Sequence, residues 1–257
     1  MNMVQRSDVG RVRTVNEDLS WVQALDSGVT LAIVADGMGG HQAGDTASRL
    51  AVETVSQQLL SLRSGLSAEE LGDALAAAIL RANRVIYELA SQDRKYHNMG
   101  TTIVAVLLDG LKGMIGHIGD SRVYKINEDV IEQLTEDHSL VNELVKKGQI
   151  SSEEAQHHPM KNVVTRALGT DPHVSVELIP VALTEHDTLM LCSDGLSNRV
   201  TEDEMKRTVN TVQDSLAARA DQLLQLALQA GGEDNITVVL LEQTSGINDS
   251  AVRGWAE

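Results

Sequence analysis

Apolar residues along the chain fall into two patterns. In short runs they are nearly continuous: LAIVA (31–35), TTIVAVLL (101–108), GMIGHI (113–118), RVYKI (122–126), VSVELI (174–179), TLMLCS (188–193) and ITVVLLE (236–242). Their β-branched content and the Gly or Asp residues that flank them predict strands. Elsewhere apolar residues recur near every 3.6 positions, as on one face of a helix. Leu71, Leu75, Ala78, Ile79, Ala82, Ile86 and Leu89 do so within 68–92, and Leu216, Ala220, Leu223, Leu224, Ala227 and Leu228 within 214–230. Further helices are predicted at 43–62, 138–147 and 202–209.

Two helices come early, then a run of strands, then helices again and a final strand. That order departs from the strand–helix alternation of a doubly wound parallel sheet. It suits an α+β fold with antiparallel sheets and helices packed outside. No linker rich in Pro, Gly or Ser divides the chain, so residues 1–242 read as a single domain. Within it the polar segment 144–170 reads as a surface excursion, and 243–257 as a loose C-terminal tail.

Composition narrows the class. With 257 residues, 42% hydrophobic and 23% charged, the chain has the make-up of a soluble protein able to bury a substantial core. Phenylalanine is absent, so the core is built from Leu, Val, Ile, Ala and Met. Cys192 is the one cysteine and cannot form an internal disulfide, which fits a reducing compartment. The N-terminal MNMVQRSDVGRVR lacks the apolar centre of a signal peptide, and no run of 18 apolar residues exists to span a membrane. A cytoplasmic protein without membrane insertion is the expectation, and a monomer. The formal charge of −16 repels a phosphate backbone and argues against general nucleic-acid binding.

Acidic excess usually serves solubility, but some carboxylates here stand in recurring contexts. They are NED (16–18), ADG (35–37), GDSR (119–122), SDG (193–195) and EDN (233–235). Asp36 and Asp194 each close an apolar run, and Asp120 and Asp234 sit in turns beside one. A single Asp-Gly is most simply a turn residue that bonds its own backbone. Four such acids at comparable strand ends point instead to carboxylates converging on hard cations, because a lone buried carboxylate is costly. Oxygen ligands select Mg²⁺, Mn²⁺ or Ca²⁺ over zinc. No Cys/His spacing offers a zinc site, His157 and His158 lack spaced partners, and the EF-hand pattern is absent. A carboxylate bridging two ions would create the two-metal clamp used in phosphoryl hydrolysis.

Two rival readings of the glycine-rich stretch fail. Gly39 to Gly44 followed by Asp45 and Thr46 fits a phosphate-binding loop except at its lysine, where Asp45 would set a negative charge beside the phosphates. A haloacid-dehalogenase-type phosphatase needs a second Asp two residues after its nucleophile, and Met38 and Leu196 occupy those places.

The ordered set RTVNED, VADGMGGHQAGDTAS, MGTTIVAVLL, HIGDSRVY, TEDHSLVNELVKKGQIS, HPMKNVVTRALG, LCSDGLSN and GGEDNITVVLLE resembles the metal-dependent protein phosphatase family (type 2C). The likeness spans roughly residues 3 to 242 and is greatest to bacterial serine/threonine phosphatases that oppose Hanks-type kinases. The resemblance implies an αββα sandwich of two antiparallel β-sheets flanked by helices. It implies two Mn²⁺ or Mg²⁺ ions in a core site and a weaker third. Asp36 would bridge the pair, with the Gly37 carbonyl, Asp194 and Asp234 as further ligands. Asp18 would act through metal-bound water with Glu17 beside it, and Asp120 would hold the third ion. A water bridging the Asp36-linked ions would attack phosphorus directly, with no phospho-enzyme intermediate. Arg13 would grip the substrate phosphate, with Arg11 the near alternative. Where animal members carry a histidine after the Asp-Gly, this chain has Met38, which leaves the proton for the departing alkoxide to another source; His41 is a weaker candidate. Segment 144–170 matches a flap beside the active site. Substrates would be phosphoproteins bearing phosphoserine or phosphothreonine. The contrasting possibility is a catalytically weak metal- and phosphate-binding module, against which the complete acidic set argues.

Overall fold

The computed structural model describes residues 1–39, 43–211 and 213–243. Eleven strands are described: β1 (Asn2–Asp8), β2 (Asp18–Ala24), β3 (Thr30–Met38), β4 (Gly100–Thr101), β5 (Ile103–Asp109), β6 (Lys112–Ile118), β7 (Arg122–Ile126), β8 (Ile131–Gln133), β9 (Glu177–Ala182), β10 (Thr188–Cys192) and β11 (Ile236–Glu242). The helices are α1 (Ala43–Leu59), α2 (Ala68–Gln92), α3 (Leu140–Lys146), α4 (Ser152–Gln156), α5 (Asp194–Ser197), α6 (Glu202–Val209) and α7 (Leu216–Gln229), with a 3₁₀ turn at Arg94–Tyr96.

The strands form two antiparallel sheets, ordered β1-β11-β10-β7-β8 and β2-β3-β5-β6-β9, with β4 paired to the end of β3. Helices cover both outer faces, so the expected αββα sandwich is the observed architecture. The continuous apolar runs have a physical reason: the inner strands are buried on both faces. In β3, Leu31, Ile33 and Ala35 pack under α1 and α2, whereas Ala32 and Val34 face the other sheet. In β11, Val238 and Leu240 face α5–α7, and Val239 and Leu241 enter the layer between the sheets. Without phenylalanine, the fully buried Tyr124 is the largest side chain enclosed in the α5–α7 layer.

Helix α2 matches its predicted span because its N-terminus is marked by a capping box. Ser67 accepts from the Glu70 amide, and the Glu70 carboxylate accepts from the Ser67 amide. The strand predicted at 174–179 lies later, at Glu177–Ala182. Its pairing with β6 stops at His117 opposite Glu177, one residue from the end of β6, so residues 174–176 run past the ladder. The outer position of β9 tolerates Pro180, which cannot donate to a ladder. Strands β1, β2 and β8 were not predicted: all three are outermost or short, half-exposed, and polar enough to hide the apolar signal. The polar excursion begins in the second half of α3 and contains α4, and a bridge between Ser139 and Val164 lies at its base. Residues 244–257 of the predicted tail lie outside the described residues. No helix among the described residues is long and apolar enough to cross a membrane.

Candidate metal centre

The five acidic motifs meet at one end of the sandwich. Antiparallel pairing of β2 with β3 sets Asp18 directly opposite Asp36. Asp36 lies within β3, not at its end, because Gly37 and Met38 continue the strand by pairing with Thr101 and Gly100 of β4. Asp120 sits in the turn between β6 and β7, Asp194 opens α5 just after β10, and Asp234 lies between α7 and β11. Asp36, Asp120, Asp194 and Asp234 line a single cleft of about 1010 Å³ together with Arg13, Glu17 and Gly37.

Polar residues from distant parts of the chain hold these acids. The Asp36 amide donates to Thr102 Oγ1 at 3.0 Å, and the Asp36 carbonyl accepts from the Thr102 amide and the Thr101 hydroxyl. Ser193 Oγ donates to Asp18 Oδ2 at 2.6 Å while accepting from the Thr237 amide. Asn235 ties two loops together: its side chain donates to the Val9 and Val15 carbonyls and accepts from the Glu17 amide. None of Thr102, Ser193 and Asn235 was singled out from sequence, since a lone Ser, Thr or Asn carries no local signal of such a contact. Lys95 also lines the cleft unforeseen, and Asn162 and Val164 bring the 144–170 segment to its wall.

Gly37 is glycine for a packing reason. A Cβ there would stand 2.1 Å from the Gly44 carbonyl oxygen and 2.7 Å from that of Glu17. The start of α1 is thereby pressed onto the strand and onto Glu17, whose carboxylate a Cβ on Gly44 would meet at 2.5 Å.

The electrostatics are those of crowded, dehydrated acids. Burial, reinforced by Asp194 and Asp234, pushes Asp18 up to about 7 despite its bond from Ser193. Burial and then Asp194 push Asp120 up to about 7, and burial and then Asp234 push Asp194 up to about 6. Asp36 is raised well above the ordinary range by burial and by Asp18, Asp194, Asp120 and Asp234, and Glu17 is raised chiefly by burial. Asp36 and Asp194 open partly onto the cleft, yet their carboxyl groups are densely surrounded. Asp18 Oδ1 and Glu17 Oε1 are buried with no hydrogen-bond partner among the described residues. An orphaned carboxylate oxygen beside mutually repelling acids fits a site for hard divalent cations: the donors are oxygens, and positive charge is what they lack.

Arg13 reaches into the cleft, its Nη2 2.9 Å from Asp234 Oδ2. Arg11 turns away, its backbone bonded to the Gly232 carbonyl and its side chain packed on Gly232. Met38 lines the cleft, and His41 lies outside the described residues. A second cleft of about 860 Å³ shares Asp120 and Asp194 and runs between the excursion and α5–α6.

Comparison with known proteins places this site in a class. The sequence pattern of the family described as Protein phosphatase 2C matches residues 10–229, and the chain belongs to that family. It is 44% identical over 238 residues to the serine/threonine phosphatase stp of Listeria innocua, covering 93% of this chain and 94% of that protein. Among solved structures it is similar to the serine/threonine phosphatase Stp1 from Staphylococcus aureus, with TM-score 0.89, 36% identity and 94% of each chain covered. It is also similar to the catalytic domain of the protein phosphatase PstP in complex with two manganese ions, with TM-score 0.82, 34% identity and coverage of 93% of this chain and 96% of that one. The protein is a metal-dependent phosphoprotein phosphatase.

Proposed function

We propose that the protein removes phosphate from phosphoserine and phosphothreonine in proteins, with two Mn²⁺ or Mg²⁺ ions in the core site and a weaker third. The observation that carries this reading is the set of buried, mutually repelling aspartates at the base of one cleft, with Asp18 Oδ1 unpartnered. Asp36, Asp194, Asp234 and the Gly37 carbonyl would hold the core pair, Asp18 would support it through water, and Asp120 would hold the third ion. When bound, such ions supply a water made nucleophilic near neutral pH and positive charge on the phosphoryl oxygens. Arg13 orients the phosphate from the rim of the cleft: a guanidinium fork suits a phosphate, and released from Asp234 it stays within reach. The excursion contributes Asn162 and Val164 to the cleft wall and so acts as a flap that meets the substrate chain.

The same reading makes the protein a cytoplasmic monomer that reverses a Hanks-type kinase, with residues 1–242 as its single domain. The test is hydrolysis of matched phosphothreonine and phosphotyrosine peptides, with and without Mn²⁺. The expected outcome is Mn²⁺-dependent release of phosphate from phosphothreonine. Undiminished turnover in excess chelator, or a preference for phosphotyrosine, would refute it.

A further inference from the structure

Outside the aspartate cluster, one partly buried group of titratable side chains has no part in the chemistry above. His117 of β6, His138 before α3 and Glu177 of β9 place a ring nitrogen or carboxylate oxygen each within 4.8 Å of one another. The two rings stack with centroids 4.7 Å apart, and His117 is fully buried, with no hydrogen bond at either nitrogen among the described residues and its Nδ1 3.5 Å from the Glu177 Oε2 that also faces His138. Two imidazoles and a carboxylate invite a zinc-type reading.

The hydrogen bonds of His138 argue against that reading and for another. Its Nδ1 accepts from the Gly119 amide at 3.0 Å, and its own amide donates to the Gly119 carbonyl at 2.8 Å. A neutral imidazole that accepts at Nδ1 carries its proton on Nε2. Nε2 lies 3.3 Å from Glu177 Oε2, where a carboxylate favours that proton. A metal at Nε2 would force a proton onto Nδ1, facing the Gly119 N–H. Burial, with His117 and Arg166 nearby, pushes His138 down to about 4, so the ring is neutral through the range in which an acceptor is needed.

The clamped glycine immediately precedes Asp120. Gly119 has φ +116°, and a Cβ on it would meet Thr102 at 2.5 Å, so the turn is pressed against the residue that holds the Asp36 amide. Ser121, on the other side of Asp120, shares a 2.7 Å hydrogen bond with Thr102 Oγ1. We propose that His138 is a positioning residue for Asp120, and that Glu177 orients its ring for that task. The proposal rests on the reading of Asp120 as a metal-site acid. It assigns to an outer strand of the sheet, through one imidazole, control over where a cleft carboxylate stands.

The test uses the full chain and three variants. His138→Asn keeps an acceptor oxygen near the place of Nδ1, His138→Leu fills the space without one, and Asp120→Ala marks the metal step that Asp120 serves. In the metal-free protein, long-range ¹H–¹⁵N spectra should show His138 protonated on Nε2 and bare on Nδ1. A proton on Nδ1, or its appearance when one equivalent of Zn²⁺ binds the ring, overturns the proposal. In Mn²⁺ titrations, His138→Leu should weaken roughly tenfold the same step that Asp120→Ala removes, as expected for a buried amide left without its acceptor. His138→Asn should restore most of that affinity. For a phosphopeptide, His138→Leu should lower kcat and leave KM within about twofold, since the defect lies in the metal site and not in substrate binding. Equal behaviour of the Asn and Leu variants overturns the positioning role. If Asp120→Ala leaves every Mn²⁺ step intact, the assignment of Asp120 fails and the role of His138 at the metal site falls with it. If Asp120→Ala removes a step and His138→Leu does not touch it, the inference about His138 alone is wrong.

Discussion

Asp36 lies on β3 of one sheet and Asp194 opens α5 just after β10 of the other, and their carboxyl groups are close enough to act on one another. Alanine at either position should therefore lower kcat by several orders of magnitude while leaving a folded, soluble chain. A variant that keeps more than about a tenth of wild-type kcat, a loss under roughly 1.4 kcal/mol, would exclude that residue from the metal site. Arg13 calls for a different outcome. Arg13→Ala should reduce kcat/KM about 10- to 150-fold, the span of a charge-assisted bond to phosphate, mainly through KM. It should also tighten Mn²⁺ binding modestly, because the Arg13–Asp234 pair that a cation must displace is gone. The effect is small, since the pair is well exposed. Arg11→Ala, packed away on Gly232, should be near neutral in both steady-state kinetics and metal titration. The acids were legible in the sequence because a carboxylate closing a buried run has few neutral explanations, and its recurrence leaves fewer. Ser193, Thr102 and Asn235 were not, because their meaning lies in partners far along the chain: Ser193 bonds Asp18 and Asn235 bonds Val9.

At the scale of elements, the contact between β3 and α1 can be tested through a single methyl group. Gly37→Ala sets a Cβ 2.1 Å from the Gly44 carbonyl oxygen, which backbone must move to relieve. Overpacking of this kind destabilises by about 1–3 kcal/mol. Denaturant melts should show that loss, and Mn²⁺ affinity should fall as well, since Asp36 shares the displaced strand. Wild-type stability and affinity together would show that the start of α1 shifts freely. The inner strands and α2 were readable for one reason: burial on two faces, or a full apolar stripe with a capping box, writes a long unambiguous pattern. The outer strands were not readable, because β1 and β2 alternate weakly and expose one face. The short α5 was missed because four residues cannot display a helical period. The family resemblance, not the periodicity, carried the arrangement of the two sheets.

For the molecule as a whole, the crowded acids make metal-free stability depend on pH with a definite sign. Asp18, Asp120 and Asp194 hold their protons up to about 7, about 7 and about 6, against roughly 3.9 for a free aspartate. Across that interval the folded chain binds more protons than the unfolded one, so the stability they contribute is full below about pH 4 and is lost as pH rises through 6 to 7. Acids held low by partners, such as Asp187 with Asn127 and Thr184, act oppositely but only below their unfolded range. Metal-free Tm should accordingly fall between about pH 5 and pH 7.5, whereas saturating Mn²⁺, which favours the ionised forms, should raise Tm more at the higher pH. Thermal melts at both pH values, with and without Mn²⁺, check this. A metal-free Tm that climbs over the interval would contradict the crowding.

The pairing of β1 with β11 joins residues 2–8 to residues 236–242, and it bears on how the protein comes into being at the ribosome. Among the described strands β1 leaves the exit tunnel first and must wait, unpaired, for β11, the last of them. Asp194 and Asp234 likewise emerge long after Asp18 and Asp36. A nascent chain stalled before residue 236 therefore holds neither a closed first sheet nor a finished metal site, and should cleave no phosphopeptide. Emergence of residues 236–242 should switch activity on in one step, with no gradual rise before it. Phosphatase assays on ribosome–nascent-chain complexes stalled before and well after residue 242 would show whether hydrolysis waits for β11.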